Sequence, residues 1–120
     1  MKKDVSPPPE VNLLELVPAP NIQWETDERG LVVLLKPKIR NLFLARILLP
    51  KMKHPHYKIK LDSVGSSFWK YCDGQRSIKE IAVLQKKEFG ESIEPLYDRI
   101  SQFLQTLQKN NLIIFLPPPG

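Results

Sequence analysis

Along the 120-residue chain the spacing of apolar positions changes several times, and each change marks a new element. Tyr57-Lys58-Ile59-Lys60-Leu61 alternates strictly. Tyr57, Ile59 and Leu61 fall on one face and the lysines on the other, which predicts a strand with one buried and one wet side. Ile22 to Thr26 also alternates, and Leu31 to Leu35 is a β-branched and leucine run. Asp27-Glu28-Arg29-Gly30 supplies turn chemistry between them, so the two segments read as a hairpin. Pro37 ends it, because its ring removes a backbone donor.

From Asp62 the period lengthens. Val64, Phe68 and Cys72 lie four apart with Trp69 beside them, the spacing of one helix face. Asp62 or Ser63 can cap the start, and Asp73-Gly74 ends the helix. Gly65 costs about 1 kcal/mol against Ala and leaves room for another backbone to approach. Ser77-Ile78-Lys79-Glu80 is a capping box that opens a second helix, running to Phe89. There Ile78, Ile81, Ala82 and Leu84 face inward, and Lys79, Lys86 and Lys87 face outward. Pro95 suits the first turn of a third helix with Leu96, Ile100, Phe103, Leu104 and Leu107 as its apolar stripe. Asn110-Asn111 stops it before a short final strand or packed tail, Leu112 to Leu116.

Two segments fit less simply. Ile39 to Leu49 predicts a short amphipathic helix closed by Pro50; a membrane-surface helix is the sharper reading, but the neighbouring strands offer a body to pack on. Leu13 to Val17 is apolar but short, and Pro18 and Pro20 end it. Both extremities are proline-rich, at Pro7 to Pro9 and Pro117 to Pro119, and read as extended tails. The expected fold is α+β, an N-terminal antiparallel three-stranded sheet packed on three one-sided helices. Residues 78–109 follow a helix-turn-helix order. The expected division is a flexible tail at 1–20, a domain at 21–116 with a basic insert at 37–56, and a C-terminal tail at 117–120.

Charge sharpens the picture. The formal net charge is +5, and the whole surplus lies between Lys36 and Lys60. That block holds Lys36, Lys38, Arg40, Arg46, Lys51, Lys53, Lys58 and Lys60 and no Asp or Glu. It suits an acidic partner: a nucleic acid, a membrane surface or an acidic peptide. No apolar run approaches the length of a membrane span, and no apolar segment follows the basic start as in a signal peptide. The expectation is a cytoplasmic protein without stable membrane insertion. The single cysteine allows no intrachain disulfide.

Candidate chemistry is sparse. His54, His56 and Cys72 lack the paired spacing of a zinc set. Cys72 has no histidine partner in sequence and reads as a core residue. Glu88, Glu91 and Glu94 read as solvated carboxylates at helix ends. No glycine-rich phosphate loop occurs. Phe68, Trp69 and Tyr71 suit a core better than a stacking pocket. No catalysis and no cofactor are expected. The outer positions of helix 95–109 are Asp98, Arg99, Gln102, Gln105 and Lys109, a weak set for reading DNA. A peptide fits better. If 57–61 is a sheet edge, its free amides and carbonyls can accept a guest strand, and its lysines favour an acidic one.

Tyr57-Lys58-Ile59-Lys60-Leu61-Asp62, Val64-Gly65, Phe68-Trp69 and Asp73-Gly74 form an order that resembles the PqqD-like family, the RiPP recognition elements. Ser77-Ile78-Lys79-Glu80-Ile81-Ala82, Phe103-Leu104, Leu107 and Asn111-Leu112-Ile113 continue it, so the resemblance covers roughly residues 22–115. It implies a small winged helix-turn-helix domain that binds the leader of a ribosomally made precursor peptide and presents it to a modifying enzyme, often a radical SAM enzyme. It implies no chemistry of the domain's own. The leader is expected to add as a strand along Tyr57, Lys58, Ile59, Lys60 and Leu61 and to rest on Arg99, Gln102 and Phe103. The expected state is a monomer or weak homodimer. A winged-helix nucleic-acid-binding protein is the alternative. Two features depart from the family pattern. Residues 37–56 lengthen a normally short link between strands, and Asn111 stands where Gly is common.

Overall fold

The computed structural model describes residues 13–117. Most of both predicted tails, residues 1–12 and 118–120, lies outside the described residues. In chain order the elements are β1 (Val17–Pro20), β2 (Gln23–Thr26), β3 (Val32–Pro37), α1 (Leu42–Leu48), β4 (His56–Lys60), α2 (Ser63–Tyr71), α3 (Ile78–Phe89), α4 (Leu96–Lys109) and β5 (Ile113–Leu116).

The expected three-stranded antiparallel sheet is present, in the order β2-β3-β4. Its hairpin turn is held by Asp27, whose carboxylate accepts from the amides of Arg29 at 2.9 Å and Leu31 at 3.0 Å. β3 continues one step further than the sequence suggests and includes Pro37, opposite His56. Successive strand residues point their backbone groups to opposite sides. Pro37 therefore turns its missing donor toward the β2 side, beyond the Gln23–Leu35 pair that ends that ladder.

A second sheet was not expected. β1 pairs antiparallel with β5, and residues 13–20 are a 3-10 turn and a strand rather than a tail. Pro18 and Pro20 do not stop this strand, because neither is asked to donate to β5. The Pro18 carbonyl faces away from β5 and accepts from the Gly74 amide at 3.0 Å. Pro20, two residues on, turns to the same side. The Leu16 carbonyl likewise accepts from Ile78 at 2.9 Å, so the α2–α3 loop closes this edge.

The helices follow their predicted stripes. α2 begins where the Asp62 carboxylate accepts from the Gly65 amide at 2.8 Å, and α3 begins at the reciprocal Ser77–Glu80 box. Phe68, Trp69, Cys72, Ile78, Ile81, Ala82, Leu96, Ile100, Leu104 and Leu107 share one core with Val32 and Leu34 of β3. Two buried polar side chains tie the layers. The Ser66 hydroxyl accepts from Val32 at 2.8 Å, and Gln85 Nε2 donates to the Val64 carbonyl at 3.0 Å. Gln85, not Leu84, is the fully buried residue at that turn of α3. Gly65 does admit a close neighbour, but a side chain and not a backbone: a Cβ there would lie 3.4 Å from the Phe103 ring.

α1 is the exception. The helix forms, capped by the Asn41 side chain accepting from Leu44 at 3.0 Å, but none of its residues is buried. The expectation that it packs against the body holds only along one thin side, at the half-buried Ala45 and at Leu49 just past the helix. Its sequence is apolar nearly all round, and two turns can press only one side to the rest of the chain.

Candidate functional site

The register of the sheet decides which groups β4 has to offer. Pro55 accepts from Lys38 at 3.0 Å and Leu61 donates to Val32 at 2.9 Å, so the odd-numbered residues turn their backbone groups to β3. The amides and carbonyls of His56, Lys58 and Lys60 then face away from the sheet. Among the described residues no backbone group takes them up. β4 is an edge strand with three residues' worth of free ladder.

Its side chains grade along its length. Leu61 and Ile59 are half-buried and Lys58 and Lys60 are exposed. Tyr57 shares the face of Ile59 but is 56% exposed, past the end of the core. The expected dry face therefore fades toward Tyr57. The Lys38 ammonium sits 5.3 Å from the centre of the Tyr57 ring, a cation–π contact between the insert and the strand.

Where β4 runs into α2 a cleft of about 520 Å³ opens toward α4. Lys60, Leu61, Asp62, Val64 and Gly65 form one side, and Leu96, Arg99, Ile100, Gln102, Phe103 and Thr106 the other. Phe103 packs edge-on against Phe68 with ring centres 5.5 Å apart, giving the cleft an aromatic floor. Its mouth carries Lys60, Asp62, Arg99 and Gln102, all exposed. Gly65 matters here, since a side chain in its place would press on Phe103 and on the Asp62 carboxylate 3.1 Å away.

Of the residues singled out in the sequence, Lys60, Leu61, Arg99, Gln102 and Phe103 meet around this cleft. Tyr57, Lys58 and Ile59 lie further along the same strand, outside it. Asp62, Gly65, Gln85 and Thr106 line it without having been singled out for the site. Asp62 had a visible cue, its capping position, which turns its carboxylate onto the first turn of α2 beside Gly65. Gln85 had none, because it occupies a helix position where a polar residue is ordinarily wet.

Other candidates separate in space. Cys72 is buried, and burial pushes its thiol far above the usual range. Glu88 is held by structural bonds, accepting from Ser67 at 2.7 Å and from the Tyr71 hydroxyl at 3.2 Å. Lys86 is paired with Glu94 and lies 3.6 Å from Glu91. Among the described residues no three His, Cys, Asp or Glu side chains are grouped to hold a metal ion. No helix there is long and apolar enough to cross a membrane.

The family model described as coenzyme PQQ synthesis protein D (PqqD) matches residues 51–113. The chain belongs to the PqqD family. The match takes in β4, α2, α3 and α4 and ends at the first residue of β5. Every residue lining the cleft falls inside it. β1, β2, β3 and α1 lie outside the matched residues of this PqqD-family chain. Comparison with curated proteins and with solved structures gave no match.

Proposed function

We propose that this PqqD-family protein is a non-catalytic, cytoplasmic adaptor for the leader segment of a ribosomally made precursor peptide. The leader adds as a strand to the outer edge of β4, and α4 forms the facing wall of the groove. The free backbone groups of His56, Lys58 and Lys60, leading directly into the cleft at Arg99, Gln102 and Phe103, carry this reading. Main-chain bonds supply affinity, and the cleft selects side chains. Lys58, Lys60 and Arg99 favour an acidic segment and speed its approach. The bound leader is then delivered to a modifying enzyme, with a radical SAM enzyme the first candidate. β4 and the helices act together as a winged helix-turn-helix unit within a domain that takes in β1 as well as residues 21–116, monomeric or weakly dimeric, with the wing serving peptide rather than DNA.

β2, the other edge of the sheet, is a poorer host. It is four residues long, and the same alternation leaves only Trp24 and Thr26 with outward backbone groups. The exposed side of α4 mixes Asp98 with Arg99, Gln102, Gln105 and Lys109, too little positive charge to anchor a duplex.

The test is a titration of the full chain with segments of short precursor peptides encoded beside modifying enzymes, at low and high salt. The expected result is saturable binding, with the Lys58 and Lys60 amides becoming protected from exchange. Lys58→Glu with Lys60→Glu should slow association and flatten its salt dependence. Silence toward every leader, combined with duplex DNA binding of steep salt slope, would overturn the proposal in favour of a nucleic-acid-binding winged helix.

A further inference from the structure

The insert between β3 and β4 carries a surface that the peptide reading does not use. α1 is seven residues long. At 100° per residue, Phe43, Leu44, Ile47 and Leu48 fall on one side, and Ala45 and Leu49 on the other. Ala45 and Leu49 are half-buried against the body. The opposite side is apolar and open to water: Phe43 is 70% exposed, Leu44 45%, Ile47 44% and Leu48 41%, while Leu42 falls with Ala45 and Leu49. Such a patch on a soluble domain marks a contact surface.

Its surroundings choose the partner. Lys36, Lys38, Arg40, Arg46, Lys51 and Lys53 flank the helix, and no acidic residue interrupts the run from Lys36 to Lys60. Among the described residues none of these six cations is in an ion pair. A second copy of the chain would bring two such blocks face to face across a symmetric contact, where like charges repel. A specific protein partner needs roughly 800 Å² from each side. A helix about 10 Å long, with four outward apolar side chains, falls well short of that. A bilayer asks for neither shape nor area. It takes an apolar wedge at the depth of the acyl boundary, with basic side chains left among anionic headgroups.

We propose that α1 and its basic flanks form a reversible docking site for an anionic membrane surface. Phe43, Leu44, Ile47 and Leu48 enter the interface, and Arg40 and Arg46 with the flanking lysines engage the headgroups. The helix lies in the interface and does not span it. One short helix with one basic cluster holds weakly, so the protein exchanges between surface and solution. This surface is separate from the cleft and stands whether or not β4 binds a leader.

The test is sedimentation of the full chain with vesicles of phosphatidylcholine alone or mixed equally with phosphatidylglycerol. The expected result is binding to the mixed vesicles at low salt, and at least about tenfold weaker binding to neutral ones or in high salt. Phe43→Ser with Ile47→Ser should lower binding by about tenfold or more, since both side chains already face water and contribute little to folding. An unchanged melting midpoint shows that the variant is folded. Arg40→Glu with Arg46→Glu should weaken binding and flatten its salt dependence. No binding to mixed vesicles at low salt, equal binding to neutral vesicles, or full binding by the folded Phe43/Ile47 variant would each overturn the proposal. So would concentration-dependent self-association abolished by that same variant.

Discussion

β1 and β4 are both outer strands, yet one is closed and the other open. β1 turns two prolines outward, and the carbonyls of Pro18 and of Leu16 just before the strand are taken up by Gly74 in the α2–α3 loop and Ile78 at the start of α3. β4 turns outward the amides and carbonyls of His56, Lys58 and Lys60, with lysine side chains beside them. Strand propensity does not separate the two, since β1 has the poorer composition and is the more buried. Whether an edge can receive a guest depends on what lies next to it and on which residues face out.

The sharpest way to break this contrast is to move the device of β1 onto β4. Lys58→Pro removes an outward amide and no bond to β3, so its cost in stability should stay near or below about 1 kcal/mol. Ile59→Pro removes a ladder bond and should cost about 3 kcal/mol or more. Urea unfolding measures both. Leader binding should collapse in folded Lys58→Pro; full affinity there would show that the edge is not the receptor.

At the closed edge, Gly74 has φ +80°, and a side chain there would also crowd Leu116 at 3.2 Å. Gly74→Val should cost about 1–3 kcal/mol through backbone strain alone. Leader affinity should be unchanged, because β4 is remote from that loop. A parallel loss of affinity would mean that the two edges are coupled. Hydrogen exchange draws the same distinction without mutation: the amides of Gly74 and Ile78 should be protected, and those of Lys58 and Lys60 should exchange quickly until a peptide arrives.

Much of this was readable in the residues. α2 and α3 announced themselves through stripes and caps and α4 through its stripe, since each had a single apolar face and one place to bury it. The alternation at 57–61 placed β4 and its wet lysines correctly. β1 escaped because Pro18 and Pro20 look like strand breakers until the orientation of their missing donors is known. α1 was legible as a helix but not as an exposed one, because spacing gives a face and not what covers it. The cleft was half legible: Arg99, Gln102 and Phe103 could be named, but Gly65 and Gln85 enter it only through packing between helices.

The smallest predicted effect is a pH dependence at the turns supporting each sheet. In the β2–β3 turn the Leu31 amide, then that of Arg29, holds the Asp27 carboxyl below its ordinary range. Partial burial raises Asp73, but the Gln75 and Arg76 amides and the Arg76 guanidinium outweigh it and leave it lowered too. A carboxyl whose pKa is lower folded than unfolded adds stability above its unfolded pKa, and that stability fades as pH falls toward the folded value. Exchange protection at Leu31 and Gly74 should therefore decline together in acid below about pH 4. Asp73→Asn should flatten the trend at Gly74 and leave it at Leu31. Movement of both would deny the two sheets their independence.

Cys72 gives the molecule an internal clock. Only a thiolate attacks a disulfide reagent, and burial both hides this sulfur and keeps it protonated. Labelling must wait until the helical layers part. Its slow rate therefore times how often the interior breathes, with or without cargo, and needs no engineered probe.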